Sequence, residues 1–67
     1  MDSAAYEAHL EGRLLLQRFT PDAVRHSIHA FQRAIAADPA YAPAYASLAE
    51  ALYEDIHLNS PFAIAKT

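Results

Sequence analysis

The placement of glycine and proline constrains this chain more than any other sequence feature. The chain has one glycine, Gly12, and its four prolines, Pro21, Pro39, Pro43 and Pro61, stand at the edges of segments. Between them run long stretches of Ala, Leu, Glu, Gln and Arg, which are the residues with the highest helix propensity. Few residues are β-branched, and no stretch alternates between polar and apolar residues as a half-buried strand does. The sequence therefore predicts an all-α fold.

Start and stop signals divide the chain into helices within a single domain. The Thr20 hydroxyl can accept a hydrogen bond from an unpaired backbone N–H, and Pro21 suits the first helical position, so a second helix is predicted to begin at Pro21. This helix is predicted to end by Asp38, because Pro39 disfavours helical geometry in the residue before it. The predicted helices span residues 3–18, 21–38 and 43–57, and a truncated helix spans 61–67.

Apolar residues recur at helical spacing in each predicted helix. The first helix has two stripes, Tyr6, Leu10 and Leu14 on one side and Ala5, Ala8, Gly12, Leu15 and Phe19 on another, which predicts neighbours on two sides. The second helix has a stripe of large residues, Val24, Ile28, Phe31 and Ile35, and a stripe of small ones, Ser27, Ala30, Ala34 and Ala37. The apolar face of the third helix consists of Tyr45, Leu48, Ala49, Leu52 and Ile56.

The core that these helices can build is small. Of the 67 residues 54% are hydrophobic, and 16 of those are Ala, which permits close helix approach but adds little core volume. A chain of this length buries only about 60% of the surface that it exposes when unfolded. Because the chain has no Cys, it has neither a disulfide framework nor a thiolate metal site to add stability. We therefore expect self-association or flanking chain to stabilise the fold.

The charge pattern argues against nucleic-acid and membrane partners. The net charge is -3, and the five Lys and Arg residues are scattered, so no basic stripe faces a phosphate backbone. The apolar run Leu14–Leu16 is far too short for a transmembrane helix, and Asp2 and Glu7 stand where a signal peptide would carry positive charge. We expect a cytoplasmic protein whose partners are proteins or peptides.

The segment SIHAFQRAIAADPAYAPAYASLAEAL, residues 27–52, resembles the tetratricopeptide repeat family. It is similar to the second helix of one repeat, the turn, and the first helix of the next. The matching positions are Ser27, Phe31, Ala34 and Pro39 in one unit and Tyr45, Leu48, Ala49 and Leu52 in the next. The resemblance implies antiparallel helical hairpins, with one full repeat, the first helix of a second repeat, and a short truncated helix. Small residues would let these helices cross closely while Phe31 fills the remaining gap.

The first helix departs from the family pattern. Gly12 takes the place of the family glycine, but the stretch LLLQRFTPDAVRHSI, residues 14–28, makes the connection longer than a typical unit allows. This longer form resembles the repeats attached to bacterial transcriptional regulators and class III adenylate cyclase-like proteins. The resemblance implies a non-catalytic protein-interaction or scaffold module. The alternative is a regulatory appendage of a larger transcriptional regulator or cyclase-like enzyme, acting by intramolecular contact.

The resemblance also implies where partners bind. In this family partners dock in the groove lined by the first helices of the units, which here offers His9, Arg13, Ala46, Glu50 and Tyr53. Arrays of this kind need about three repeats, and this chain has fewer, so we expect a homo-oligomer. The residues expected at the self-association surface are Leu48, Leu52, Ile56 and Phe62.

A histidine metal site is a weaker reading of the sequence. His26 and His29 are three residues apart on one helix, a spacing that offers two imidazoles to one metal. They lack Cys partners and a compelling acidic ligand, so we expect solvent-facing histidines and no metal or cofactor. A site between helices that includes His9 or His57 remains open.

An enzymatic role has even less support in the sequence. The acids Glu50, Glu54 and Asp55 cluster on the third helix. Two carboxylates divide the roles of acid and base only inside a concave pocket, which a thin layer of helices does not offer. We expect a solvated acidic face and no catalytic residue.

Overall fold

A computed structural model describes residues 3–59 of the chain as three α-helices. They are α1 (Ser3–Arg18), α2 (Pro21–Ala37) and α3 (Ala42–Asn59). No strand occurs among these residues, so the predicted all-α class is confirmed. Over the same range no helix is long and apolar enough to cross a lipid bilayer. The predicted truncated helix at 61–67, with Phe62, lies outside the described residues.

Both ends of α2 follow local side-chain chemistry. Thr20 is the N-cap, and its Oγ1 accepts a hydrogen bond from the Ala23 N–H at 3.2 Å. The helix ends at Ala37, one residue before the predicted end, because Asp38 already has an extended backbone at φ -149° and ψ 94°. The Asp38 N–H still donates to the Ala34 carbonyl at 3.0 Å, so this backbone group is not left unpaired.

Helix α3 is longer than predicted at both ends. It begins at Ala42, one residue earlier than expected, and runs to Asn59, two residues beyond the predicted end. The Asn59 Nδ2 group donates to Asp55 Oδ1 at 2.6 Å and to the Pro21 carbonyl at 3.3 Å. These bonds place the end of α3 beside the start of α2, so the two helices are antiparallel.

The connection between α1 and α2 contains a left-handed residue. Phe19 has φ 56°, and its N–H donates to the Leu16 carbonyl at 3.1 Å, which closes the last turn of α1. Phe19 was expected in a packed stripe of the first helix, but its side chain is 54% exposed. The reason is that the left-handed backbone turns the chain out of the helix before this residue can join the stripe.

Helix α2 lies between α1 and α3 and packs against both, whereas α1 and α3 contact each other less extensively. The central cluster contains the buried residues Leu16, Val24, Phe31 and Ala51, with the half-buried Ile28, Leu48 and Leu58 packed against it. Nearly all of the predicted small stripe of α2 is buried, although Ala37 at the helix end is exposed. The core thus forms around one helix that is apolar on two sides.

Close contact between α1 and α2 depends on Gly12. A Cβ atom at Gly12 would lie 2.6 Å from Cδ1 and 2.8 Å from Cζ of Phe31, which is fully buried. Those distances are shorter than any van der Waals contact between carbon atoms. The Phe31 ring therefore occupies the space that the missing side chain leaves.

Helix α3 packs mainly by its small residues, and of the stripe that the sequence marks as its apolar face only Leu48 packs against the core. The buried residues are Ala44, Ser47 and Ala51, which allow a close approach to α2. The large residues Tyr45, Leu52 and Ile56 remain 47%, 46% and 65% exposed. Helix α1 behaves similarly, since Ala5, Gly12 and Leu16 are buried and the stripe of Tyr6, Leu10 and Leu14 is exposed.

Candidate functional site

Two polar pairs join α1 to α3. His9 Nε2 lies 2.8 Å from Ser47 Oγ, and one turn further along, Arg13 Nη1 donates to Glu50 Oε1 at 2.9 Å. Because residue numbers increase together along both helices, α1 and α3 run parallel. We call the cleft that these pairs bridge the α1–α3 crevice.

His9 lies at the closed end of the crevice. Its ring centroid is 5.6 Å from that of Phe31 and 5.4 Å from that of Tyr41, which meets it edge to face. Burial lowers the pKa of His9, and the positive charge of Arg13 lowers it further. The imidazole is therefore neutral near pH 7, and it shares a hydrogen bond with the Ser47 hydroxyl.

The other end of the crevice opens to solvent. The paired Arg13 and Glu50 side chains are 37% and 52% exposed. Beside them is a hollow of about 250 Å³ lined by Arg13, Leu16, Gln17, Phe19, Glu50 and Glu54. Small-molecule sites usually occupy about 300–1,000 Å³, so this hollow is smaller than a typical small-molecule site. It offers both signs of charge beside an exposed aromatic ring.

The five residues predicted to bind a partner separate into two groups. His9, Arg13 and Glu50 meet in the α1–α3 crevice. Ala46 and Tyr53 are exposed on α3 and do not take part in these pairs. The Tyr53 ring instead packs edge to face on His57, with centroids 4.5 Å apart.

Sequence reasoning missed two members of the crevice, Ser47 and Phe19. Ser47 precedes Glu50 by three residues, and His9 precedes Arg13 by four, so matched polar spacings on α1 and α3 were the available signal. Phe19 gave no such signal, because its position depends on the left-handed backbone at the end of α1. Both residues are therefore identified from geometry.

The predicted self-association residues lie partly on one exposed surface of α3. Leu52 and Ile56 form it together with Tyr45, and we call these three residues the α3 flank. Leu48 is half-buried against the core, and Phe62 lies outside the described residues. The Tyr45 hydroxyl donates to the Pro39 carbonyl at 2.7 Å, so the ring is held in place with its polar atom satisfied.

A second exposed apolar surface lies on α1. A shallow hollow of about 400 Å³ is lined by Glu7, Leu10, Glu11, Leu14, Leu15 and Arg18. We call this surface the α1 outer face. Glu11, at the border of this face, forms an ion pair with Arg33 of α2, so the charge of Glu11 is balanced within the chain.

The histidines that the sequence offers for chemistry are dispersed, whereas two of the acids, Glu50 and Glu54, line the same hollow beside the α1–α3 crevice. His26 and His29 are exposed on α2, and no three metal-binding side chains lie together within residues 3–59. Asp55 contacts Asn59, and its Oδ1 lies 3.9 Å from Arg25 Nε. No protein-family model, no curated protein and no solved structure matches the chain.

Proposed function

We propose that this chain is a non-catalytic protein-interaction module built from helical hairpins of the tetratricopeptide type. In this proposal α1 and α2 are the two helices of one repeat, and α3 is the first helix of the next. The α3 flank pairs with a second copy or with flanking repeats, and the α1–α3 crevice receives a segment of a partner protein.

The packing of α1 on α2 supports the repeat arrangement. Gly12 receives the ring of Phe31, and Ser27 and Ala34 are fully buried in α2. Pro39 lies in the turn that leads to α3. These are positions at which the resemblance expects small residues, an aromatic residue and a turn proline.

The observation that carries the interaction function is the exposed α3 flank. Three large side chains, each about half or more exposed, line one side of α3. Burial of a fully exposed side chain of this size is worth about 1.5–3 kcal/mol, and because these side chains are about half exposed, a partner that covers the flank gains about half of that value for each of them. The Tyr45 hydroxyl is already bonded within the chain, so covering its ring leaves no polar atom unpaired.

The α1–α3 crevice supplies a second contact region of a different kind. It combines the Arg13–Glu50 pair with the exposed Phe19 ring. Aromatic residues and Arg are the side chains most enriched among energetically important interface positions. A partner segment with both polar and apolar residues fits this lining.

Light scattering after size-exclusion chromatography, with circular dichroism on the same samples, tests the role of the α3 flank. We expect the wild-type chain to form a helical species larger than its 7.4 kDa monomer as concentration rises. The variant Leu52→Glu/Ile56→Glu should reduce that mass without loss of helicity, because both side chains are exposed.

Ala46→Glu provides a matched control, because it adds a carboxylate to an exposed position of α3 outside the α3 flank. This variant should retain the wild-type mass. Two results would argue against pairing through the α3 flank. The wild-type chain would stay a helical monomer at every concentration, or Ala46→Glu would lower the mass as much as Leu52→Glu/Ile56→Glu does.

A further inference from the structure

The α1 outer face is an apolar surface that the proposed repeat packing does not use. Leu10 and Leu14 are 43% and 63% exposed there, and Leu15 is half-buried beside them. Together with their charged neighbours they line the hollow of about 400 Å³. The buried residues of α1 lie on the opposite side of that helix, so the α1 outer face points away from α2.

Two opposite charges stand at the two ends of this face. Glu7 and Arg18 both line the hollow, and neither side chain has an ion-pair or hydrogen-bond partner within the described residues. They are eleven residues apart, which is about three helical turns, so they lie within about 20° of each other around α1 and about 16 Å apart along it. Leu14 lies between them.

We propose that the α1 outer face docks on the same face of a second copy, with the two α1 helices antiparallel. The two-fold axis then crosses α1 midway between Glu7 and Arg18, at the level of residues 12 and 13. It places Glu7 of each copy opposite the partner's Arg18. The leucines meet in the middle of the contact. Such a face is complementary to itself, as a two-fold dimer requires.

Charge and packing both favour a second copy as the occupant. A parallel arrangement would place each charge against its like, whereas the antiparallel one forms two opposite-charge contacts and pairs the helix dipoles favourably. Glu11, which also comes close to the axis, is already paired with Arg33. A standard interface buries about 800 Å² on each partner, and one helix face offers less, so we expect a weak, reversible dimer.

This inference rests on the proposed interaction function and adds a surface to it. The contact through α1 is separate from the α3 flank, because Glu7, Leu14 and Arg18 lie on a different helix from Leu52 and Ile56. The two contacts can therefore be removed independently. We use the Leu52→Glu/Ile56→Glu chain as the background in which any remaining dimer forms without the α3 flank.

Sedimentation equilibrium of charge-reversal variants in that background tests the proposal. Glu7→Arg and Arg18→Glu each replace two attractions by two repulsions, so each should raise the dissociation constant of the dimer about tenfold. The combined variant Glu7→Arg/Arg18→Glu restores both opposite-charge contacts and should return to within about threefold of the background. High salt should reduce the differences between these variants.

Exposed Gln32 on α2 provides the control for net charge. Gln32→Arg and Gln32→Glu change the charge of the chain without touching α1, and both should leave the dissociation constant unchanged. The proposal is overturned by a background chain that stays monomeric, by single reversals that have no effect, or by a combined variant as weak as the single ones. These outcomes do not depend on whether the α3 flank pairs, because the background chain already lacks that contact.

Cysteine cross-linking gives a second measurement, because the chain has no Cys of its own. In the antiparallel pair Glu7→Cys lies beside Arg18→Cys of the second copy, whereas two copies of Cys at position 7 are about 16 Å apart. Mild oxidation of Glu7→Cys/Arg18→Cys should therefore yield a reducible dimer, and Glu7→Cys alone should yield far less, since a disulfide needs Cα atoms within about 7 Å. Equal yields from the two chains would contradict the antiparallel arrangement.

Discussion

At the scale of single residues, the close packing of α1 on α2 depends on the side chain that Gly12 lacks. Gly12 has no Cβ, and the fully buried Phe31 ring lies where that atom would be. A glycine inside a helix ordinarily costs stability, by about 1 kcal/mol relative to Ala. Here it permits α1 and α2 to approach, so its effect on stability depends on Phe31.

Gly12→Ala should therefore destabilise the fold despite its better helix propensity. We expect the free energy of unfolding to fall by about 1–2 kcal/mol, since overpacking costs about 1–3 kcal/mol and the helix gains less than that. Urea unfolding followed by circular dichroism measures this change. In a Phe31→Leu background, the same Gly12→Ala change should be neutral or stabilising. An equal loss in both backgrounds would show that Phe31 is not the obstacle.

His9 should make stability depend on pH. Its pKa is lowered in the folded chain, chiefly by burial and also by Arg13, whereas the unfolded value is about 6.5. As pH falls below about 6.5, the unfolded chain binds the proton more readily, so the free energy of unfolding decreases. The contribution is complete above that pH and is lost below it.

Urea unfolding at several pH values between about 7.5 and 5.5 checks this prediction. His9→Gln keeps a polar group near Ser47 but does not titrate, so it should flatten part of the pH dependence. If the wild-type chain and His9→Gln lose stability in parallel as pH falls, then His9 is not the group responsible.

At the scale of elements, the ends of α2 could be predicted from the sequence, whereas the buried sides of α1 and α3 could be predicted only in part. Ala5 and Gly12 of α1 and Leu48 of α3 stand in the predicted stripes and pack inward. Thr20 and Pro21 act on the backbone next to them, so their effect does not depend on the rest of the fold. The packing side of α3 depends on which helix meets it. Ala44 and Ser47 contribute little hydrophobicity, so periodicity favours the larger Tyr45, Leu52 and Ile56, although it is the small residues that fit against α2.

The candidate site could also be predicted only in part. His9, Arg13 and Glu50 could be named from the family resemblance, which implies that partners bind at these helix positions. Their pairing depends on the distance and register between α1 and α3, which no periodicity within one helix encodes. Ser47 and Phe19 were missed for that reason.

Loss of the N-cap should weaken α2 and, with it, the whole fold. Thr20→Ala removes the acceptor for the Ala23 N–H and should lower the free energy of unfolding by about 1 kcal/mol. Thermal unfolding measures the loss. Thr20→Ser keeps the hydroxyl and should stay close to wild type, whereas equal losses in the two variants would indicate that the methyl group matters and the cap does not.

At the scale of the whole molecule, α2 holds the other two helices together. It packs against both neighbours, and α1 meets α3 mainly through the His9–Ser47 and Arg13–Glu50 pairs. Exposed ion pairs such as Arg13–Glu50 contribute only about 0–1 kcal/mol each. The outer helices therefore depend on α2 more than on each other.

Hydrogen exchange should reflect this hierarchy. The backbone amides between Ser27 and Ala34 are expected to exchange most slowly, because α1 and α3 both cover this part of α2. Amides in the first turns of α1 and at the C-terminal end of α3 should exchange faster. Residue-resolved exchange by NMR checks the order, and slowest exchange within α1 or α3 would contradict the central role of α2.

The contact between Gly12 and Phe31 also limits the routes by which this sequence can change over generations. A methyl group at position 12 destabilises the fold while the ring is present. Removal of the ring first leaves a cavity, which costs about 3–5 kcal/mol for Phe→Ala. Each order of substitution passes through a less stable intermediate, so positions 12 and 31 are expected to change together in descendants of this chain or to remain as they are.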